Sequence, residues 1–157
     1  MAVVTDIEHL YTLLPTNGII AIDGVDGSGK STLARLFADN IGAAWFDLDS
    51  YIATKNGLEN YPHSLCYDKL ANHIAEEKSQ IIVLDGIFLR DVLEQAGVRP
   101  DIFIYCRKIE IHAYGNTATD DFEEWDDYPS TIAYRNYKAR HRLPFSADIQ
   151  FEWKKNG

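Results

Sequence analysis

Residues 24–32 read Gly24-Val25-Asp26-Gly27-Ser28-Gly29-Lys30-Ser31-Thr32 and match the pattern GxxxxGK[ST]. They follow a short apolar run, Ile19-Ile20-Ala21-Ile22, and precede apolar residues at helical spacing. The pattern requires this strand, loop and helix, because inward N–H groups of the loop and the N-terminus of the helix together hold a di- or triphosphate. These flanking elements disfavour the alternative, which is a glycine-rich turn with an exposed lysine.

The residue types of this phosphate loop have separate roles. The glycines allow successive backbone N–H groups to turn inward, Lys30 would bridge the outer phosphates, and the Ser31 hydroxyl would bind Mg²⁺. Thr32 would begin to pack the helix. We therefore predict a site for a nucleoside triphosphate and Mg²⁺, with nucleotide-binding residues Gly24, Gly27, Ser28, Gly29, Lys30, Ser31 and Thr32.

The rest of the chain alternates between apolar runs and helical patterns. Strands are predicted near residues 20, 45, 83 and 104, with the strand near 20 as the first of the sheet. A capping box from Thr5 to Glu8 predicts a short leading helix. Alternation at residues 149–153 predicts a last strand at the edge of the sheet. The expected fold class is α/β, doubly wound, with a mainly parallel sheet in a three-layer αβα arrangement.

Composition narrows the class of protein further. The chain has 157 residues, 46% of them hydrophobic, which fits one folded domain over 1–157. Its net charge of −9 disfavours a nucleic-acid partner. The apolar runs are too short to span a bilayer, and two cysteines with no N-terminal leader favour a reducing cytosol. We expect a cytoplasmic protein without a membrane partner, and a homodimer remains open.

Carboxylates follow two of the predicted strands, where ligands of open α/β sheets bind. Asp47 and Asp49 follow the second strand and point the same way if the strand persists, and Asp85-Gly86 ends the third. Asp49 suits a base on an attacking hydroxyl, and Asp85 suits a position near Mg²⁺. Asp47 and Tyr51 are weaker candidates for the acceptor site. The alternatives are a capped turn for the first pair and a hydrogen-bonded strand end for Asp85.

Residues 108–142 interrupt the alternation and are interpreted as a lid-like insertion. Residues 120–127 contain six carboxylates around two aromatic residues, which is typical of a solvated loop or a partner-facing flap, with a metal or cationic-partner site as the alternative. The following helix, from Pro129 to His141, carries a basic face at Arg135, Lys138 and Arg142. We interpret this face as a lid over the triphosphate, against the alternative of solvated charge.

With these motifs the chain resembles P-loop kinases of the uridine kinase and phosphoribulokinase type. The segments that carry the resemblance are 24–32, Asp49-Ser50-Tyr51, Ile81 to Ile87, Pro100 to Tyr105, Tyr137 to Pro144, and Ala147-Asp148. By that resemblance, Asp49 is the base on the acceptor hydroxyl, and Asp85 stands near the metal in place of a glutamate. Lys30 and Ser31 serve ATP and Mg²⁺, and Arg140 or Arg142 neutralises the transferring phosphate.

The leading hypothesis is therefore a kinase that transfers phosphate from ATP to a hydroxyl of a small molecule, either a nucleoside or a similar sugar-bearing metabolite. A second hypothesis is a nucleotide-binding regulatory protein with little turnover, which docks a basic partner through residues 120–127. A third, an NTPase that acts on nucleic acid, is disfavoured by the net charge.

Overall fold

In a computed structural model that describes residues 1–120 and 127–156, strands and helices alternate along the chain. The strands are β1 (Ala2–Val4), β2 (Gly18–Asp23), β3 (Ala44–Asp47), β4 (Ile81–Gly86), β5 (Ile102–His112), β6 (Gly115–Ala118) and β7 (Ile149–Asn156). The α-helices are α1 (Ile7–Leu13), α2 (Lys30–Ile41), α3 (Tyr67–Glu76), α4 (Leu89–Ala96) and α5 (Pro129–His141). Within the two described ranges, no helix is long and apolar enough to cross a bilayer.

The strands form one sheet in the order β1-β7-β5-β2-β4-β3, and β6 pairs with β5 outside this path. Every pairing is parallel except that of β5 with β6. Alternate residues of the strands face two separate cores: Ile20 and Ile22 lie in one, and Ala21 lies in the other. Both faces of the sheet are therefore buried, and the predicted α/β fold with a mainly parallel sheet is confirmed.

The register brings the carboxyl ends of the central strands together. Asp23 at the end of β2 lies opposite Gly86 of β4 and Tyr105 of β5. On the other side of β4, Asp85 lies opposite Asp47 at the end of β3. Because parallel strands all end at the same edge of the sheet, the loops that follow β2, β3 and β4 share one cleft.

The ends of α1 and α2 follow from local sequence. Gly29 precedes α2 with a φ of 88°, and Gly42 ends the helix with a φ of 70°, so both glycines adopt the left-handed conformation that favours this residue. The cap of α1 is Asp6, whose side chain accepts a hydrogen bond from the backbone N–H of Glu8. The predicted cap at Thr5 is therefore wrong by one residue, since the carboxylate next to it takes that role.

Two predictions about the borders of the sheet are wrong. The last strand, β7, lies between β1 and β5 instead of at an edge. The first strand of the sheet is β1, which pairs with the start of β7 over Ala2–Val4, so Gly18–Asp23 is the second strand along the chain. A strand of three residues is too short to show a period-2 pattern, and this is why the sequence analysis did not find it.

The region predicted as a lid-like insertion begins with a β-hairpin. β5 continues to His112, and β6 returns antiparallel to it from Gly115. β7 follows β5 on its other side as far as Asn156. Residues 108–118 therefore extend the sheet beyond the carboxyl end of β2, where the phosphate loop begins. The predicted acidic segment, 120–127, falls largely outside the described residues, because these omit 121–126.

A buried ionic cluster joins this hairpin to α5. Asp120 is 1% exposed and accepts hydrogen bonds from Arg107 Nη2 at 2.7 and 2.9 Å, from Lys138 Nζ at 2.6 Å and from the Tyr105 hydroxyl at 3.0 Å. Burial alone would raise the pKa of Asp120, but the bonds and charges of Arg107 and Lys138 outweigh burial and lower the pKa. Lys138 is therefore buried in a structural cluster, whereas the sequence analysis interpreted it as part of a basic face that forms a lid over the triphosphate.

Replacement of Asp120 by alanine should lower the free energy of unfolding by about 3 to 5 kcal/mol, because it removes the carboxylate that two buried cations share. Urea denaturation at pH 7 measures this change. Asp127→Ala is the control: its side chain is exposed, and the expected change is under about 0.5 kcal/mol. Equal effects of the two substitutions would contradict the central role of Asp120 in the cluster.

Candidate active site

The phosphate loop closes tightly against β7. The indole Nε1–H of Trp153 donates to the carbonyl oxygen of Gly29 at 3.2 Å, and a Cβ atom at position 29 would come within 2.4 Å of that indole nitrogen. Glycine at this position is therefore required both by the left-handed backbone and by the close approach of Trp153. The loop and the start of α2 line an open cavity of about 210 Å³, formed by Gly27, Gly29, Lys30, Ser31, Thr32 and Lys108.

Lys30 folds back over the loop. Its Nζ atom lies 3.4 Å from the carbonyl oxygen of Val25 and 3.8 Å from Asp26 Oδ1. Both contacts are long for a charged group, so a phosphate oxygen can replace them at little cost. The predicted role of Thr32 in packing the helix does not match its place in the fold, because Thr32 is exposed and lines the cavity.

Asp85 lies beside the loop with one carboxylate oxygen saturated and the other open. Its Oδ2 atom accepts from the Ser31 hydroxyl at 3.0 Å and from the Trp45 indole Nε1–H at 3.2 Å. Within the described part of the chain, its buried Oδ1 atom has no hydrogen-bond partner. Carboxylate and hydroxyl oxygens such as those of Asp85 and Ser31 are ligands that Mg²⁺ prefers. Mg²⁺ or a water molecule bound to it can supply the partner that Oδ1 lacks.

Charge repulsion and burial both act on this carboxylate. Burial, together with the neighbouring charge of Asp47, raises the pKa of Asp85 to about 6, against the lowering effects of Lys30, Ser31 and Trp45. Burial also raises the pKa of Asp47. Two carboxyl groups that resist ionisation beside each other favour the binding of a cation between or next to them.

The segment after β3 turns away from the strand direction. β3 ends at Asp47, and a 3-10 turn over Leu48–Tyr51 follows. The Asp47 carboxylate accepts from the backbone N–H of Asp49 at 3.0 Å and caps this turn. The strand therefore does not persist, and the capped turn that the sequence left open as an alternative is the one that forms.

The Asp49 carboxylate is held by a tyrosine that the sequence analysis did not select. Tyr61 lies in a second 3-10 turn, Leu58–His63, and donates its hydroxyl to Asp49 Oδ1 at 2.8 Å. Tyr61 is 3% exposed, and burial followed by the charge of Asp49 raises its pKa above the ordinary value. A Cβ atom at position 86 would come 3.2 Å from this hydroxyl, so Gly86 makes room for it.

Tyr51 has a different environment from the one predicted. Its hydroxyl bonds to His73 Nδ1 at 2.7 Å, and its ring meets the His73 ring edge-on at a centroid distance of 5.5 Å. These contacts join the turn after β3 to α3. Tyr51 therefore supports the segment that carries Asp49, and Tyr61 is the tyrosine that reaches the carboxylate.

The two candidate arginines lie at the end of α5, and their recorded contacts are with α4 and with the helix terminus. Arg140 Nη2 pairs with Asp91 Oδ2 at 2.5 Å in the first turn of α4, and His141 Nε2 bonds to the other oxygen of Asp91 at 2.6 Å. Arg142 caps α5 with a φ of 59°. In this structure the guanidinium of Arg140 is thus occupied by Asp91 and does not join the group around Lys30.

Two further cavities lie next to the second 3-10 turn, and one of them also borders the phosphate loop. One, of about 130 Å³, is lined by Val25, Asp26, Leu58, Ile87, Ser130, Thr131 and Tyr134. The other, of about 250 Å³, is lined mainly by apolar atoms of residues 52–64, including the Tyr61 ring. Leu58 lines both cavities, and Tyr61, which donates to Asp49, lines the second one. Asp49 itself lines neither cavity, and Tyr61 is the residue that links the larger one to its carboxylate.

Four residues around the site were missed or given another role from sequence. Asp23 precedes the loop as a carboxylate at a strand end, the same signal that selects Asp47 and Asp85. Trp45 packs its ring against one of the two cores, and its indole N–H also reaches Asp85. The other two are Tyr61 and Trp153, whose contacts join segments far apart in the chain, and no local pattern predicts such contacts.

The fold of this chain is shared with solved P-loop kinases. A possible uridine kinase from Bacillus stearothermophilus superposes with a TM-score of 0.57 at 17% identity, over 91% of this chain and 94% of that chain. Shikimate kinase from Acinetobacter baumannii gives a TM-score of 0.51 at 15% identity, over 92% and 88%. At such identities the likeness establishes the fold, and the P-loop kinase resemblance is confirmed at that level.

Relatives found by sequence are also kinases. A probable gluconokinase from Rattus norvegicus is 29% identical over 98 residues, which are 54% of this chain and 53% of that protein. A cytidylate kinase from Streptococcus equi subsp. zooepidemicus is 36% identical over 78 residues, 46% of this chain and 34% of that protein. The alignments thus span about half and about a third of the two relatives. No known protein-family profile matches the chain.

The raised pKa of Asp85 predicts a pH-dependent stability that Asp85→Asn abolishes. A carboxyl group whose pKa rises on folding from 3.8 to about 6 costs stability as the pH increases through that window. At pH 7.5 the Asn variant should therefore be about 1 to 3 kcal/mol more stable than the wild type, and the difference should vanish below pH 4.

Urea denaturation across pH 4 to 7.5 measures the effect, with Asp39→Asn as the matched control because Asp39 is exposed on α2. A constant difference across this pH range would contradict the buried, ionised state of Asp85. Mg²⁺ should stabilise the wild type and leave Asp85→Asn unchanged, since the variant lacks the anionic oxygen.

Proposed function

We propose that this protein is an ATP- and Mg²⁺-dependent kinase that phosphorylates a hydroxyl of a small molecule, with a nucleoside or a similar sugar-bearing metabolite as the acceptor. The observation that carries the proposal is the convergence of Lys30, Ser31, Asp85 and the Tyr61-held Asp49 at one edge of the sheet. A phosphate loop alone fits many NTPases, whereas a second carboxylate positioned at the same edge of the sheet fits transfer to an alcohol.

In the proposed reaction the acceptor oxygen attacks the γ-phosphorus in line with the bond to the β-phosphate oxygen. That P–O bond breaks, ADP leaves with the electron pair, and Asp49 takes the proton of the acceptor hydroxyl. Tyr61 occupies Oδ1 of Asp49, so Oδ2 is the oxygen available for the proton. Lys30 stabilises the charge that develops on the phosphate oxygens, and Ser31 and Asp85 would hold Mg²⁺, which supplies further neutralisation.

The nucleotide base has a candidate location next to the phosphate cavity. A cavity of about 230 Å³ shares Gly29, Thr32 and Lys108 with the phosphate cavity and is also lined by Trp153 and by two lysines of β7. Trp153 is half-buried and lies against the loop through its indole N–H. We propose that the base stacks on Trp153, since an aromatic face beside the phosphate cavity is the surface that a base binds best.

Asp49→Asn should lower kcat by about 10² to 10⁴, because general base catalysis contributes about this much, while the Kd for MgATP changes little. Lys30→Ala should weaken MgATP binding and abolish turnover. ADP release with MgATP over a panel of nucleosides, nucleoside monophosphates and alcohol-bearing metabolites measures both effects. Asp39→Asn, exposed on α2, is the control and should behave as the wild type.

Acceptor-dependent turnover that is lost in both variants supports the kinase and names its acceptor. Tight MgATP binding without turnover on any acceptor contradicts it and favours the regulatory nucleotide binder. An undiminished rate in Asp49→Asn would remove that carboxylate from the role of base.

The proposed base site predicts a difference between ATP and inorganic tripolyphosphate. Trp153→Ala should weaken MgATP binding about 10- to 100-fold, because stacking of a base on an aromatic ring contributes about 1 to 3 kcal/mol. Binding of Mg-tripolyphosphate, which has no base, should change less than about threefold. Trp153→Phe should restore most of the loss. Equal weakening of both ligands in Trp153→Ala would mean that Trp153 only supports the loop.

A further inference from the structure

Asp23 is a fully buried carboxylate directly before the first glycine of the phosphate loop. Its Oδ1 atom accepts from the backbone N–H of Gly24 at 2.8 Å, and its Oδ2 atom accepts from the Tyr137 hydroxyl at 2.5 Å. Burial of a carboxylate is costly unless its hydrogen bonds are good. The proposed reaction gives this group no role, although it lies at the point where β2 becomes the loop.

Tyr137 connects three parts of the fold through one hydroxyl. It lies in α5, is 1% exposed and accepts from the backbone N–H of Arg90 in α4 at 2.8 Å while it donates to Asp23. Its ring packs edge-on against Phe88, with the centroids 5.2 Å apart. The position of α5 relative to the start of the loop is therefore fixed by a specific, short and buried hydrogen bond.

The N-terminal half of α5 forms one wall of the cleft beside the loop. Thr131 and Tyr134 face Val25 and Asp26 across the cavity of about 130 Å³ described above. Tyr134 lies one helical turn before Tyr137, and Val25 lies two residues after Asp23. The Asp23–Tyr137 hydrogen bond therefore joins the two segments that carry these facing residues.

We propose that Asp23 and Tyr137 are positioning residues, which hold α5 against the phosphate loop so that the bound nucleotide lies at a fixed distance from the acceptor. The part that concerns the acceptor rests on the proposed kinase function. The part that concerns the loop applies to nucleotide binding alone, and it can be measured without an acceptor.

Because Asp23 can gain or lose a proton, its role can be measured in the pH dependence of nucleotide binding. The groups that face it are Lys30 from α2, Tyr137 and Tyr134 from α5, and Tyr105 from β5. Burial raises the pKa of Asp23 to about 6, against the lowering effects of Tyr137, the backbone N–H groups and Lys30. An anionic triphosphate favours the protonated carboxyl group, so nucleotide binding should take up a proton and weaken as the pH rises through this window.

The test is the Kd for MgATP by titration calorimetry at pH 5.5 and 7.5 in the wild type and three variants. Tyr137→Phe removes the hydroxyl that holds Asp23, and Tyr134→Phe is the matched control, because it removes an equally buried hydroxyl whose recorded partner is Tyr105. Asp23→Asn is the conservative variant: its amide oxygen can accept from Gly24 and its NH₂ group can donate to Tyr137.

At pH 7.5 Tyr137→Phe should weaken MgATP binding about tenfold and Tyr134→Phe should stay within about twofold of the wild type. Asp23→Asn, which carries no charge, should bind MgATP more tightly than the wild type at this pH. The ratio of the Asp23→Asn and wild-type Kd values should change between the two pH values, since the titration of ATP itself is common to both. Where turnover is measurable, Tyr137→Phe should also lower kcat at saturating ATP.

Equal losses of MgATP affinity in Tyr137→Phe and Tyr134→Phe, matched by equal losses of stability in urea, would falsify the positioning role. A Kd ratio that does not vary with pH would remove Asp23 as the charged partner. Because these readings need no acceptor, absence of turnover contradicts the kinase proposal alone, and the Kd ratios still decide this one.

Discussion

The parallel pairing of β4 with β2 on one side and β3 on the other is the constraint on which the site depends. It places Asp85 opposite Ile22 and Asp47, so the strand that leads into the phosphate loop and the strand that leads to Asp49 end at one edge. Buried apolar residues on both faces of these strands hold the register, because a shift by one residue would turn every core side chain outward. The chemistry at the edge is therefore positioned by the core below it.

Electrostatics gives this edge its chemical character. The buried Asp85 and the partly buried Asp47 resist ionisation, as does Asp23 directly before the loop, and the charge of Lys30 acts on all three. Such an arrangement is unfavourable for the protein alone and becomes favourable when a cation joins it. The charges beyond the loop are balanced differently: Arg107 and Lys138 serve Asp120, and Arg140 serves Asp91. The fold thus separates cations that stabilise packing from Lys30, which lines the phosphate cavity.

The sequence was sufficient for features whose signal is local. The loop at 24–32, the strands around Ile20 and Val83, and the helix from Pro129 to His141 each show their own pattern, and all lie where that pattern predicts. The three-residue β1, the internal position of β7 and the capped turn at Asp47 depend on pairing between distant segments or on competition between neighbouring caps. Likewise, the Asp49–Tyr61, Asp23–Tyr137 and Gly29–Trp153 contacts join residues that no periodicity connects. The sequence therefore identifies candidate functional residues at strand ends, while the residues that contact them are identified only from the three-dimensional structure.

The two tryptophans that touch the site give the protein an optical property. Trp45 donates to the carboxylate of Asp85 and Trp153 donates to the carbonyl of Gly29, so each indole N–H is bonded to a group that a bound nucleotide or cation would disturb. The third tryptophan of the chain, Trp125, lies outside the described residues. With Trp125 replaced by phenylalanine, all remaining indole fluorescence would originate beside the phosphate loop. Emission from the unlabelled protein would then follow occupancy of the site directly, in real time.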